Sequence, residues 1–471
     1  MSPFAQTMLA LGLGLGLCLA GGSACRSEDA SPEASAAAIG RAALDDMTPY
    51  RTVESLTTEV GQRLAGTEAH ARAVLWAQAK LKELGFENVH IEDFLITAWI
   101  RGAETATVTS PAIQQLAVTA LGGSVATDPN GIEAEIALFR SYAELLASPP
   151  GSLAGKIAVV TQRMVRAADG GGYGAANPIR RAGPSEAARR GAVAYLLRSL
   201  ATDNHRLPHT GALNYQEGAP RIPAAALSMP DADQLERLAA RGKVRLRLVL
   251  TPTTRDNAPS WNVVGEVKGR EHPEQIVLIG AHLDSWDLGT GATDDGAGVG
   301  IVTSVGRLIA ALPQHPRRTL RVVLFGSEEM DNSGPAYAAA HADEAKNIVI
   351  AAEADFGARE VYAAQLPPGA ADSAFAKSLS EAIAPLGAFL DRRPALGGGD
   401  DMRGLQKAGV PVTSLRQNGL DYFDTHHTAD DTLDKIDPKQ LSQATSVWAA
   451  FVYLAAETDV DFRALAAAAP H

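Results

Sequence analysis

The sequence predicts a three-layer α/β/α sandwich around a largely parallel mixed sheet, interrupted by a β-rich insert. Three observations carry that prediction. Over residues 256–471, continuous apolar runs such as "QIVLIGA", "LRVVLFG" and "NIVIAAEAD" alternate with helical stretches such as "GAGVGIVTSVGRLIAAL". That is the pattern of parallel strands covered on both faces. Between about 116 and 255 it gives way to short strands separated by Gly- and Pro-rich loops, for example "DGGGYGAANP". With 471 residues the chain is also longer than one ordinary core requires, which favours a domain carrying a large insertion.

Taken in order, residues 1–25 contain "MLALGLGLGLCLAGGSAC", an apolar stretch too short to span a bilayer comfortably and followed at once by polar "RSEDASPEASAAA". This reads as a secretion signal. "GSAC" is similar to a lipoprotein cleavage box, which makes Cys25 a candidate lipid anchor; simple cleavage near Ala24 is the alternative. The expected destination is therefore the periplasm, a membrane-anchored lipoprotein, or the medium. Residues 26–40 are rich in Ser, Ala, Pro and Glu and read as a flexible tether. The main domain opens over 41–115 with a helical pattern from Thr48 to Phe86, stopped by Gly85, and then the alternating strands "NVHIEDFLITAWIRG" and "TATVTS". The insert, 116–255, contributes "GKIAVVTQRM", "GAVAYLL" and "IPAAALS". The main domain resumes over 256–471 and ends with the strand "VPVTSLR" and the helix "PKQLSQATSVWAAFVYLAAE".

Composition narrows the function. Apolar residues make up 46% and charged residues 20%, as in soluble globular proteins. The net charge of −12 argues against nucleic acid or an anionic membrane as a general partner. After the leader no stretch is long and apolar enough to cross a membrane. Both cysteines, Cys18 and Cys25, lie in the leader, so the remaining chain has neither a disulfide nor a thiolate ligand for a metal.

In sheets of this kind the site lies beyond the carboxyl ends of the strands. His282 and Asp284 follow "QIVLIGA", Glu328 and Glu329 follow "LRVVLFG", and Asp355 closes "NIVIAAEA". Asp294 and Asp295 open the next helix, and His426 and His427 lie in "THHTADDTLD" beyond the last strand. Taken singly, an Asp pair opening a helix is an ordinary cap and a lone His is more often structural. Converging on one rim, so many carboxylates repel one another unless cations neutralise them. Imidazoles and carboxylates without thiolate suit a pair of zinc-like ions. Of two adjacent glutamates, one can bind metal while the other takes a proton, and Asp284 can orient the His282 ring.

"HLDSWDLGTGATDDGAG", "GSEEMDNSG", "EADFG" and "HHTADDTLDKIDP" together resemble the co-catalytic di-zinc exopeptidase family, of aminopeptidase and glutamate carboxypeptidase type. The resemblance extends to "GQRLAGTEAHARAV" and "GGGDDMRGLQKAGVP", and the insert resembles a protease-associated domain. It implies Asp294 bridging two zinc ions, replaceable by cobalt or manganese. His282 and Asp355 would complete one ion's ligands, Glu329 and His427 the other's. Glu328 would be the general base for a metal-bridging water, with Asp284 in support and a cis bond between Asp294 and Asp295. His426, Asp401 and Tyr422 are candidate substrate contacts. The implied activity is hydrolysis of dipeptides or short peptides with a free N-terminus. The alternatives are an aminopeptidase on longer peptides, a glutaminyl-cyclase-like enzyme, or a metal-free binding protein on the same fold. A homodimer is compatible with the sequence.

Overall fold

In the computed structural model, residues 31–469 are described. The leader and Cys25 lie outside them. The strands of the main domain are β1 (Glu87–Ile100), β2 (Thr253–Val267), β3 (His272–His282), β4 (Arg318–Phe325), β5 (Ile348–Glu353), β6 (Val361–Gln365), β7 (Phe389–Asp391) and β8 (Ser414–Gln417). Five form one mixed sheet in the order β1-β2-β4-β3-β5. The β1–β2 and β2–β4 pairs are antiparallel, and β3 lies parallel between β4 and β5. Along β3 the apolar residues divide between two cores by strict alternation. Val277, Ile279 and Ala281 face one layer, Ile276 and Leu278 the other. Each fully buried Val, Leu or Ile contributes about 1.5–3 kcal/mol, so β3 is fixed in register on both faces.

The strand expected from "VPVTSLR" joins that sheet only partly. Its first half makes one parallel bridge, Ala351 to Val412. Its second half, β8, turns to pair antiparallel with β6, which pairs in parallel with β7. Pro411 has no N–H to offer a longer ladder.

Helices α1 (Pro32–Leu44), α2 (Gly171–Arg181), α3 (Ala297–Ala310) and α4 (Pro438–Glu457) matter most for the site. Residues 32–40, expected in a flexible tether, instead belong to α1. Ala36, Ile39, Gly40 and Ala43 share one helical face and are buried, and Gly40 comes against Ser446 and Ala450 of α4. That apolar stripe, rather than the Ser/Ala/Glu composition, decides the conformation. Helix α3 is buried almost all round. A side chain at Gly298 would strike the Ala354 carbonyl, 1.9 Å from a built Cβ, so glycine lets α3 lie against the end of β5.

The insert is an eight-stranded mixed sheet with its own buried clusters on both faces. It begins earlier than position 116. The strand Glu104–Ser110 pairs with Arg245–Leu250 inside the insert, so the excursion runs from about Glu104 to Leu250. Alternation in "TATVTS" predicts a strand but cannot say which sheet it joins.

Candidate metal centre

Three adjacent strands deliver the acidic and imidazole groups to one edge. His282 ends β3, Glu328 and Glu329 follow β4, and Asp355 follows β5. Asp294 stands in the turn before α3, where the Asp294–Asp295 peptide is cis. His426 and His427 come from the turn before α4.

Two groups of ligand atoms form around Asp294. His282, Asp294 and Asp355 each place one ligand atom within 4.8 Å of the others, and so do Asp294, His426 and His427. His282 Nε2 lies 3.1 Å from Asp294 Oδ1 and 3.6 Å from Asp355 Oδ1. On the other side, His427 Nε2 lies 3.2 Å from both Asp294 Oδ2 and Glu329 Oε2. His426 Nε2 is at 3.6 Å from Asp294 Oδ2, and its ring stacks on that of His427 at 3.5 Å between centroids. His426 also packs against Tyr422, Phe423 and Tyr173.

Each flanking imidazole is oriented by a main-chain carbonyl. His282 Nδ1 lies 3.0 Å from the carbonyl of Asp284, nearer than the Asp284 carboxylate at 3.6 Å. His427 Nδ1 lies 3.2 Å from the carbonyl of Thr210, which belongs to the insert. A carbonyl only accepts, so both rings carry their proton on Nδ1 and turn Nε2 to the acid cluster. His427 also adopts φ 62°, a left-handed conformation that costs a non-glycine residue about 1–3 kcal/mol and is typical of functional sites. The Asp284 carboxylate accepts the Glu328 N–H at 3.1 Å, linking the ends of β3 and β4.

The electrostatics call for a cation. Burial drives the Glu328 carboxyl well above its usual range and that of Glu329 up to about 7. Burial opposes the charge of His427, but Glu329 and Asp294 outweigh it and raise its pKa to about 9. Burial opposes the charge of His282 as well, and the surrounding carboxylates of Asp284, Asp294 and Asp355 overcome it and raise its pKa well above normal. Among the described residues, the buried atoms Asp294 Oδ2, Glu329 Oε1 and Asp284 Oδ2 have no hydrogen-bond partner. Buried carboxylate oxygens left in this way are stable only beside positive charge. Arg63, fully buried nearby, does not supply it directly. Its guanidinium donates to the carbonyls of Leu283, Thr290 and Gly291, at 2.5, 2.6 and 2.8 Å, and so clamps the loop between His282 and Asp294. The donor set therefore fits metal ions.

A cleft of about 320 Å³ lies over this cluster. Asp294, Glu328, Glu329, Asp355, Tyr422, His426 and His427 line it from the main domain, and Tyr173, Asn177 and Arg180 from α2 of the insert. Asp401, expected among the substrate contacts, is not in the lining. It is buried behind it, its carboxylate accepting from the Ser333 hydroxyl at 2.8 Å and its N–H donating to Glu353 at 3.0 Å. Its neighbours Asp400 and Arg403 face the cleft instead. Sequence reasoning also missed Arg63, although "GQRLAG" was a visible motif, and Thr210, whose main-chain role leaves no mark on residue type.

A carboxylate–imidazole cluster with orphaned oxygens at the carboxyl ends of three parallel strands suits a metal-dependent hydrolase. Comparison with known proteins gives the family. Residues 262–452 match the model for peptidase family M28. The chain is 37% identical over 416 residues to carboxypeptidase Q of Bos taurus, covering 87% of this chain and 85% of that one. It is 45% identical to the crystal structure of a peptidase M28 precursor from Shewanella amazonensis, with a TM-score of 0.88 over 91% of this chain and 98% of the other. A zinc aminopeptidase from Bacillus subtilis shares the fold at 20% identity, with a TM-score of 0.62 over 88% of this chain and 95% of the other. The chain belongs to peptidase family M28 and is a metallopeptidase.

Proposed function

We propose that the protein is an exported exopeptidase that holds two zinc ions and hydrolyses dipeptides or short peptides with a free N-terminus. The observation that carries this reading is that Asp294 is shared by two acid–imidazole groups, with His282 and Asp355 on one side and with His427 and Glu329 on the other. His282, Asp294 and Asp355 would hold one ion, and Asp294, Glu329 and His427 the other. Bound there, the ions would lower the pKa of water and stabilise developing negative charge on the substrate carbonyl.

This chain's own residues do the rest. Glu328, beside the cluster but in neither ligand group, accepts the proton of the attacking water and returns it to the leaving amine nitrogen. Asp284 holds the Glu328 main chain and, through its carbonyl, the His282 ring. Helix α2 narrows the cleft and so favours small substrates. Export rests on the apolar leader, and the exopeptidase class agrees with relatives named carboxypeptidase Q and aminopeptidase.

A panel of dipeptides with free and acetylated N-termini, read by release of amino acid before and after a strong chelator, tests the reading. Hydrolysis of the free forms only, abolished by chelation and restored by zinc, is expected. Full activity in metal-free protein or equal cleavage of acetylated peptides overturns it.

A further inference from the structure

A second group of imidazoles around a carboxylate lies outside the cleft lining. His90 and Glu92 stand two residues apart on β1, so their side chains leave the same face of the sheet. His341 meets them from the end of the helix Ser333–Ala340. His90 Nε2 lies 3.1 Å from Glu92 Oε1, and His341 Nε2 lies 2.9 Å from the same oxygen. None of the three belongs to either ligand group around Asp294.

Both rings are held as metal ligands are. His90 Nδ1 lies 2.7 Å from the Asn88 carbonyl, and His341 Nδ1 lies 3.0 Å from Glu344 Oε2. The Arg321 guanidinium donates to both Glu344 oxygens, at 2.5 and 3.0 Å, and so keeps Glu344 an acceptor. Tyr337 stacks on the His341 ring at 4.2 Å. The acceptors behind the rings put a proton on each Nδ1 and turn each Nε2 towards Glu92. Two imidazole lone pairs and a carboxylate oxygen repel one another unless positive charge lies between them. Protons supply it only as two imidazoliums on one oxygen, with Arg321 a third positive charge nearby. One divalent ion supplies the same charge and accepts all three lone pairs. Among the described residues Glu92 has no ion-pair partner besides these imidazoles, and its Oε2 is buried without a hydrogen bond. The distances match those at the main centre, where His427 Nε2 lies 3.2 Å from each of two carboxylate oxygens. The His90 side chain is 41% exposed, which leaves a way in for the ion, room for the ring to adjust and a position for water.

We propose that His90, Glu92 and His341 form a further metal site, which takes zinc or a similar divalent transition ion. Two imidazoles, one carboxylate and a water make a zinc ligand set, whereas magnesium and calcium select oxygen donors. The site joins β1, at the edge of the five-stranded sheet, to the helix that begins shortly after Glu329. A bound ion therefore clamps the far end of the segment whose near end carries Glu328 and Glu329. The inference does not depend on how many ions the Asp294 cluster holds.

Calorimetric titration of zinc into chelator-treated protein, compared between wild type, His90→Ala and Glu92→Gln, tests the site. Each variant should bind one zinc ion fewer than the wild type, and zinc should raise its Tm by less. Magnesium should show no such difference. The His90 ring is half exposed, so His90→Ala reads the site even where Glu92→Gln fails to fold. Equal zinc stoichiometry in wild type and His90→Ala overturns the proposal: the cluster is then an ion-pair network, which the substitution weakens without changing metal content. An equal zinc-dependent rise in Tm overturns the clamp. A wild type that binds a single zinc ion, lost in His90→Ala, would count against the two-ion reading of the Asp294 cluster and leave this site standing.

Discussion

The Asp431 carboxylate accepts the main-chain N–H of Asp294 at 3.2 Å, across 137 residues of sequence. It also accepts from Ala292 and Thr293, at 3.1 and 2.7 Å. The turn that carries His427 thus holds the turn that carries Asp294, and the two sides of the cluster are set by one carboxylate. Replacing Asp431 by Ala leaves those buried N–H groups without an acceptor. The expected result is a folded protein whose metal affinity falls by about 10–100-fold, as for other residues that orient ligands. Competition with a chelator measures it; unchanged affinity would mean that the Arg63 clamp alone holds the Asp294 turn.

The edge of the sheet was legible in the sequence because it depends on local pattern. Apolar runs end where β3, β4 and β5 end, and the residues after them are the ones that meet. What could not be read depends on partners far along the chain. Asp431 holds the distant Asp294 turn, while its own turn is braced by Thr428, whose hydroxyl bonds the Thr425 carbonyl at 2.6 Å. Thr210 acts through its main chain, which any residue type possesses. Asp400 and Asp401 are the same residue type side by side, and it is contacts with Ser333 and Glu353, distant in sequence, that hold Asp401 inward. The helix at 32–44 depends on the surface of α4, not on a sequence that serves equally well as a linker.

Glu328 and Glu329 should separate cleanly. Glu328→Gln keeps the shape but cannot take a proton, so turnover should fall by at least about 100-fold with metal content and thermal stability unchanged. Glu329→Gln removes a charge 3.2 Å from His427 Nε2 and should lower metal content towards one ion per chain. Elemental analysis beside single-substrate kinetics distinguishes them, and the reverse pattern would exchange their roles.

Metal binding should release protons. His427, raised to about 9, and His282, raised well above its usual value, are both protonated at pH 7 in the metal-free protein. A cation needs the Nε2 lone pair of each, so loading must expel both protons. The sign follows. Affinity should weaken as pH falls, by about tenfold per pH unit for each proton released, and level off only once pH exceeds the raised values of both imidazoles. Calorimetry of zinc binding in buffers of different ionisation enthalpy counts the protons. Zero release at pH 7 would remove both imidazoles from the ligand set.

His426 and His427 are adjacent, stacked, and both near Asp294, yet they should behave differently when replaced. His427 has the shorter approach, 3.2 Å against 3.6 Å, and it alone lies at that distance from a second acidic group, Glu329. Its ring is held from behind by Thr210, and its left-handed backbone is strained in order to aim it. His426 has instead an aromatic surround of Tyr173, Tyr422 and Phe423, and burial pushes its pKa well below normal. It is therefore neutral at physiological pH and lines the cleft, suited to hydrogen bonding with a substrate. His427→Ala should lower metal content to about one ion per chain. His426→Ala should keep both ions and raise KM by about 3–30-fold, the worth of one or two hydrogen bonds. Elemental analysis of the two purified variants decides between them: metal loss confined to His426→Ala would transfer the ligand role to His426.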